Sequence, residues 1–107
     1  MKRLLLLRHA KSDWSDHFLQ DHERPLNKRG RKTAMMLGQY FKNHNICPDL
    51  VLCSTARRTQ ETLDILSHSA QQTFPAIHDK RLYGANLNQI LALIQAQKDS
   101  NLNTMLV

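Results

Sequence analysis

The segment Leu4-Leu5-Leu6-Leu7-Arg8-His9-Ala10 carries the strongest structural signal in this 107-residue chain. Four consecutive leucines are too few to span a membrane and are typical of a short strand that is buried on both faces. Such strands occur in parallel sheets, whose ligands bind beyond the carboxyl ends of the strands. Arg8 and His9 follow directly, so we predict that they lie at a ligand-binding edge. The alternative is that they only mark the exit of the strand into solvent.

Apolar runs and amphipathic segments alternate along the rest of the chain. Helices are predicted over residues 29–43, 55–69 and 88–98, and further strands over residues 50–54 and 104–107. Residues 11–28 and 71–86 are polar or irregular and are predicted to be connections. Strands that alternate with helices form βαβ units. The predicted fold class is therefore α/β, with a doubly wound, mostly parallel sheet flanked by helices.

Residues 1–107 are expected to form a single domain. The last predicted strand ends at Val107, where the next loop of the ligand-binding edge would emerge, so we expect the C-terminal part of the domain to be missing. In the first helix, Ala34, Leu37 and Phe41 share one face, which Met36 and Tyr40 are expected to broaden.

The composition is that of a globular protein with a basic surface. Hydrophobic residues make up 41% and charged residues 22% of the chain, which argues against wholesale disorder. Fifteen basic and nine acidic residues give a net charge of +6, which favours phosphate esters, acidic proteins or nucleic acid as partners. Cys47 and Cys53 are expected to be reduced thiols, as in a cytoplasmic protein.

The second predicted strand runs into Ser54-Thr55-Ala56-Arg57-Arg58-Thr59-Gln60-Glu61-Thr62. Small hydroxyl residues at a strand-to-helix turn leave backbone N–H groups and a helix dipole that suit an anion. Arginine in the first helical turn is unfavourable for that dipole, so an arginine pair here suggests a compensating anionic ligand. The alternative is an N-cap by Ser54 or Thr55 followed by two solvated arginines.

Guanidinium groups and an imidazole at one sheet edge would form a phosphoryl-transfer site. Arginine binds two phosphate oxygens at once and stays charged at all working pH values. A neutral histidine nitrogen is a competent nucleophile toward phosphorus, and flanking arginines would lower the pKa of the imidazole. They would also offset the charge on the phosphoryl oxygens during transfer.

These motifs resemble those of the histidine phosphatase (phosphoglycerate-mutase-like) superfamily, and within it the small SixA-type phosphohistidine phosphatases. The segment from Leu7 to Trp14 is similar to the opening motif of the family, with Ala10 where glycine is commoner. The segment from Arg24 to Gly30 resembles the stretch before the first family helix. The segment from Ser54 to Thr62 resembles the one that carries the second phosphate-binding arginine. The resemblance extends over essentially the whole chain.

The resemblance implies a role for each matching residue. His9 is the implied nucleophile, and Arg8 and Arg58 are the implied phosphate ligands. Arg24 and Ser12 are implied as further phosphate contacts, and Ser15 occupies a position near the phosphate in larger relatives. The second histidine of the family lies in a Gly-His motif after the last strand, and this sequence contains no such motif.

The general acid of the family has two candidates here, Asp79 and Asp13. A nitrogen leaving group departs with less help from an acid than an alcohol does, so a missing acid would favour phosphohistidine as the substrate.

The expected function is hydrolysis of phosphohistidine on a protein partner, such as a phosphotransfer domain, without a cofactor or metal. The alternatives are a phosphomonoesterase acting on small phosphate esters and a non-catalytic phosphate-binding regulatory module. The histidines lack close ligand spacing, so no metal site is expected. The basic run Lys28-Arg29-Gly30-Arg31-Lys32 has no aromatic stacking platform nearby, so we expect a solvated helix end and no nucleic-acid site. No membrane-spanning segment is expected.

Overall fold

The computed structural model describes residues 3–8, 11–15, 18–95 and 103–106. In these ranges strands and helices alternate along the chain. The elements are β1 (Arg3–Leu6), α1 (Lys28–Asn43), β2 (Leu50–Cys53), α2 (Arg57–Ala70), β3 (Ala76–His78), α3 (Leu87–Gln95) and β4 (Asn103–Leu106). Two short 3₁₀ turns, Asp21–Glu23 and Lys80–Leu82, lie in the connections.

The four strands form one parallel sheet in the order β1-β4-β2-β3. The chain moves in one direction from β1 through β2 to β3, and then returns to place β4 between β1 and β2. Because such crossovers are right-handed, this reversal places α3 on the opposite face of the sheet from α1 and α2. The sheet is therefore doubly wound, which confirms the predicted α/β fold class.

The core lies between the sheet and the α1–α2 pair. All four residues of β2 are buried, as expected of a continuous apolar strand. Val51 and Cys53 pack against Phe41 of α1 and Leu63 and Leu66 of α2, and the side chains of Leu5 and Leu7 border this cluster. Each such apolar side chain stabilises the fold by about 1.5–3 kcal/mol when it is fully buried. Cys53 is a free buried thiol in this cluster, and burial raises its pKa to about 11.

The buried face of α1 is narrower than predicted. Ala34 and Phe41 are buried as expected, whereas Met36 and Tyr40 are exposed. Met36 and Tyr40 are exposed because, at 3.6 residues per turn, they point well away from the buried line of Ala34, Gly38 and Phe41. Gly38 lies on that line and allows α2 to approach closely: a Cβ atom there would lie 2.5 Å from the backbone oxygen of Leu66.

Several predicted boundaries differ from the structure. Residues 71–86 were expected to be irregular, but they contain β3, whose three residues are all exposed and so leave no hydrophobic pattern. The α2 helix begins at Arg57 and not at residue 55. Residues 96–98, predicted as the end of the third helix, and Val107 lie outside the described residues.

Candidate active site

Two predicted motifs meet at the carboxyl edge of the sheet. Because β1 and β2 both pair in parallel with β4, Arg8 and the start of α2 emerge at the same edge. Arg8 and Arg58 line one cavity of about 670 Å³, and Ser12 and Arg24 line it as well. The structure thus brings together four residues that were predicted to contact phosphate.

This cavity is strongly basic. Lys11 and Arg29 line it beside the three arginines already named, and none of its described lining residues is acidic. Arg29 lies in the first turn of α1, where the helix dipole also favours an anion. Neither residue was among the predicted contacts. Arg29 belongs to the basic run at the start of α1 and is exposed as expected there, but it borders the cavity.

His9 lies outside the described residues, so its predicted role as nucleophile stays a prediction. Its neighbour Arg8 is the last described residue before it and lines the basic cavity.

Ser12 and Arg24 come together because two parts of the long loop pair with each other. Ser12 and Leu26 form an isolated antiparallel bridge. The backbone N–H of Asp13 donates to the oxygen of Pro25 at 2.8 Å, and that of Asn27 donates to Lys11 at 2.9 Å. Leu26 is fully buried below this pairing.

The start of α1 holds the same loop in place. The side chain of Asn27 accepts a hydrogen bond from the N–H of Gly30 at 2.7 Å and so caps the helix. A Cβ atom at Gly30 would lie 2.1 Å from the backbone oxygen of Lys11. Only glycine allows the helix to approach the Lys11 backbone this closely.

Arg24 is a buried arginine held from three sides. Its Nη1 donates to the hydroxyl of Ser12, and its Nη2 donates to Asp21 Oδ1 at 2.9 Å. Its Cζ atom lies 3.4 Å from the centroid of the Trp14 ring, a cation–π contact. Its Nε atom is buried and has no partner among the described residues.

Arg58 and Arg57 have different environments. Arg58 donates through Nη1 to the backbone oxygen of Asp21 at 2.7 Å, and through Nη2 to Asp21 Oδ2 at 3.1 Å. Its side chain is only 13% exposed, whereas that of Arg57 is 50% exposed and lies 3.8 Å from Glu61. Arg58 lines the basic cavity, and Arg57 is not among its lining residues.

Asp21 contacts both Arg24 and Arg58, and sequence reasoning missed it. Besides Arg24 and Arg58, its carboxylate accepts a hydrogen bond from the hydroxyl of Tyr83 at 2.5 Å. The hydrogen bonds from Tyr83, Arg24 and Arg58 hold the pKa of Asp21 well below its usual range. The only sequence signal was its position three residues before Arg24.

Neither predicted general acid has the raised pKa that this role requires. Asp79 accepts hydrogen bonds from Arg81 through both carboxylate oxygens, and these lower its pKa to about 2. The hydrogen bonds from Ser15 lower the pKa of Asp13. Neither carboxylate is among the residues that line the basic cavity. Both side chains are held in the ionised form, so the structure does not favour either as a proton donor.

A second cavity, of about 460 Å³, adjoins the basic one and shares Arg8 and Arg58 with it. Its walls are mainly apolar. They include Leu6, Leu7, Leu82, Tyr83 and Ile90. Arg8 and Arg58 therefore lie between a basic compartment and an apolar one.

Within the described ranges, no group of three histidine, cysteine, aspartate or glutamate residues could hold a metal ion. None of the helices described is long and apolar enough to cross a membrane.

Comparison with known proteins agrees with this geometry. A family model for the histidine phosphatase superfamily (branch 1) matches residues 4–98. The crystal structure of a protein assigned as the phosphohistidine phosphatase SixA of Agrobacterium tumefaciens superposes with a TM-score of 0.91. It is 31% identical in sequence, and the match covers 99% of this chain and 68% of that one.

Two curated relatives extend the comparison. An uncharacterized protein of Mycobacterium tuberculosis is 39% identical over 101 residues, which cover 94% of this chain and 60% of the relative. A 2,3-bisphosphoglycerate-dependent phosphoglycerate mutase of Bifidobacterium longum is 34% identical over 90 residues, which cover 78% of this chain and 37% of the mutase. The chain thus spans 60% or less of the length of these two relatives.

Proposed function

The chain belongs to the histidine phosphatase superfamily, and we propose that it is a phosphatase that removes phosphate from phosphohistidine on a protein partner. His9 is the proposed nucleophile, and the intermediate is a phosphohistidine at that residue. The observation that carries the proposal is the basic cavity in which Arg8, Ser12, Arg24 and Arg58 lie together. No cofactor or metal is part of the proposal.

The arginines supply the charge that phosphoryl transfer requires. A phosphoryl group carries its negative charge on three oxygens, and catalysis consists mostly of positioning it and stabilising that charge. Arg8 and Arg58 are the proposed ligands of these oxygens, and Arg24 and Ser12 are accessory contacts. Guanidinium groups suit this task because their planar fork matches two oxygens at once.

The reaction proceeds in two balanced steps. A nitrogen of His9 attacks phosphorus, and the bond from phosphorus to the substrate imidazole breaks with its electron pair on the leaving nitrogen. The leaving imidazole gains one proton, and the His9 ring gives one up. Water then attacks the phosphoryl group on His9, so that phosphate receives the hydroxyl and the His9 ring receives the other hydrogen.

The lowered pKa values of the two candidate acids support phosphohistidine over an alcohol ester. An alcohol must be protonated as it leaves, and both candidate acids, Asp13 and Asp79, have lowered pKa values. An imidazole leaves more readily. The cavity is also open at Trp14, which lines it and is 70% exposed. A histidine presented on a protein surface can reach such a site.

A phosphomonoesterase acting on small esters is the second candidate. The similarity to a phosphoglycerate mutase favours it, since that relative acts on a small phosphorylated metabolite by its name. A non-catalytic phosphate-binding module is the third candidate. One experiment distinguishes the three candidates.

The test is a single-turnover assay with a phosphotransfer protein labelled on histidine, alongside a sugar phosphate. We expect the label to move to the enzyme as an acid-labile, alkali-stable adduct and then to phosphate, faster than from the sugar ester. His9→Ala should abolish the adduct. Preference for the ester would favour the second candidate, and absence of any adduct with the wild-type protein would favour the third.

Arg57 and Arg58 provide a matched pair of variants. Arg58→Ala should lower the rate of transfer about 100-fold or more, the typical loss when one donor to a transition-state oxyanion is removed. Arg58→Lys keeps the positive charge but not the planar guanidinium. If the alanine variant does not fold, it tests whether binding of two phosphate oxygens by Arg58 is required. Arg57→Ala should change the rate by no more than about twofold, since an exposed ion pair contributes little. Equal losses at the two positions would contradict the assignment of Arg58.

A further inference from the structure

The Asp21 carboxylate accepts hydrogen bonds from both Arg24 and Arg58. Its Oδ1 accepts from Arg24 at 2.9 Å, and its Oδ2 accepts from Arg58 at 3.1 Å and from the Tyr83 hydroxyl at 2.5 Å. Its backbone oxygen also accepts from Arg58 at 2.7 Å. Each guanidinium therefore has part of its fork occupied by the same residue.

Asp21 contacts the arginines from outside the basic cavity. Both arginines line that cavity, but Asp21 is not among its lining residues. The carboxylate therefore does not line the cavity in which we propose that phosphate binds. It holds two donors whose other N–H groups remain for a ligand. Among the described residues, the buried Nε atoms of Arg24 and Arg58 have no partner.

Two guanidinium groups near each other repel, and long arginine side chains lose considerable rotamer freedom when they are fixed. A carboxylate between them offsets the repulsion and fixes both forks before phosphate arrives. Pre-organised donors stabilise a transition state better than donors that must reorganise.

We infer that Asp21 is a positioning residue, which sets the orientation of Arg24 and Arg58 for the phosphoryl group. This inference rests on the proposed function.

A purely structural role for Asp21 is the competing explanation, because it also ties the long loop to α2. Glu61 allows the two roles to be separated. Its carboxylate accepts from the backbone N–H of Leu26 at 2.9 Å and so ties the same loop to the same helix. Its ion-pair partner is Arg57 and not an arginine of the cavity.

The experiment compares Asp21→Asn with Glu61→Gln, which each remove one carboxylate between the loop and α2. Asparagine has a single acceptor oxygen and turns an NH2 group toward one of the donors, so at least one arginine loses its side-chain contact with residue 21, while Arg24 keeps Ser12 and Arg58 keeps the backbone oxygen. We expect the affinity for inorganic phosphate, measured by calorimetry, to fall about tenfold in Asp21→Asn, because at least one rotamer-rich side chain must then be ordered on binding. In Glu61→Gln it should change by about twofold or less.

Glu61→Ala and Asp21→Glu complete the set. Glu61→Ala removes the loop tether while leaving the arginine contacts intact, and it should lower the melting temperature more than the phosphate affinity. Asp21→Glu restores a carboxylate and should recover part of the lost affinity. In parallel, kcat is measured per enzyme molecule that can form the His9 adduct, which corrects for any unfolded protein. This corrected kcat should still fall in Asp21→Asn.

Unchanged or stronger phosphate binding in Asp21→Asn would overturn the inference, and so would equal losses in Asp21→Asn and Glu61→Ala. The proposed function fails by a different result, namely a wild-type protein that binds phosphate but neither forms an adduct nor turns over. In that case the binding measurements still decide whether Asp21 positions the arginines.

Discussion

Arg57 and Arg58 are adjacent in the sequence but have opposite environments. Arg57 is half exposed beside Glu61, whereas Arg58 is largely buried against Asp21. The similarity of the Ser54–Thr62 segment to a known family favoured Arg58, which lies four residues after Ser54 and four before Thr62, and Arg58 is the one of the two that lines the cavity. Charge alone could not have distinguished them.

The role of Asp21 could not be predicted from the sequence. Its partners Arg58 and Tyr83 lie 37 and 62 residues away in the sequence. Nothing in the local pattern of a polar loop indicates contacts of that range. Tertiary folding creates them.

The pairing of Asp79 with Arg81 predicts how stability depends on pH. The hydrogen bonds from Arg81 lower the pKa of Asp79 from 3.8 to about 2 in the folded protein. The folded state therefore favours the ionised form, and this contribution is present above pH 3.8 and is lost as the pH falls through about 2. Asp79→Asn keeps one acceptor for the backbone N–H of Arg81 but removes the charge.

Urea unfolding of the wild-type protein and Asp79→Asn should therefore show the wild type more stable at neutral pH. The gap should narrow as the pH falls from about 4 to 2. Arg81→Gln removes the guanidinium but keeps the backbone N–H, so it should lose most but not all of the same pH-dependent part. A gap that is constant over this range would contradict the predicted coupling.

At the scale of elements, apolar runs predicted the buried strands. They did not predict the exposed strand or the pairing within the polar loop. The leucine run of β1 and the buried residues of β2 are continuous in sequence, and both strands were predicted. The β3 strand has only three residues, all exposed at the sheet edge, so its pairing with β2 leaves no pattern of hydrophobicity. The Ser12–Leu26 bridge joins two parts of one polar loop and was missed for the same reason.

The contact between α1 and α2 at Gly38 predicts a cost for adding one methyl group. A Cβ atom there would lie 2.5 Å from the backbone oxygen of Leu66 and 2.5 Å from the Cβ of Ser69. A backbone oxygen cannot rotate away, so the helices must separate. We expect Gly38→Ala to lower the free energy of unfolding by about 1–3 kcal/mol, even though alanine is the better helix former.

Urea unfolding measures this change through the midpoint at constant slope. Met36→Ala is the control on the same helix, because Met36 is 65% exposed and its truncation should alter stability by less than about 0.5 kcal/mol. If Gly38→Ala were stabilising, helix propensity would outweigh packing, and the α1–α2 contact would be looser than the structure describes.

At the scale of the whole molecule, the positive charge is concentrated where the chemistry is proposed. The net charge of +6 predicted an anionic partner but not its place. Lys11, Arg24 and Arg29 join Arg8 and Arg58 around one cavity only because the loop folds back on α1. Composition indicates the sign of the charge expected on a partner, and the tertiary fold determines where the complementary charge lies.

This concentration of charge predicts that salt affects protein and small-molecule substrates differently. A folded partner with an acidic surface is attracted at long range, and that attraction weakens as the Debye length falls from about 10 Å at 0.1 M salt to about 3 Å at 1 M. A small phosphoramidate relies mainly on short-range contacts with the arginines. Between these salt concentrations, kcat/KM should fall about tenfold or more for a phosphohistidine-bearing protein. It should fall several-fold less for the small substrate. Equal salt dependence would mean that the surface charge does not guide the partner, and the case for a protein substrate would then rest on the open cavity at Trp14.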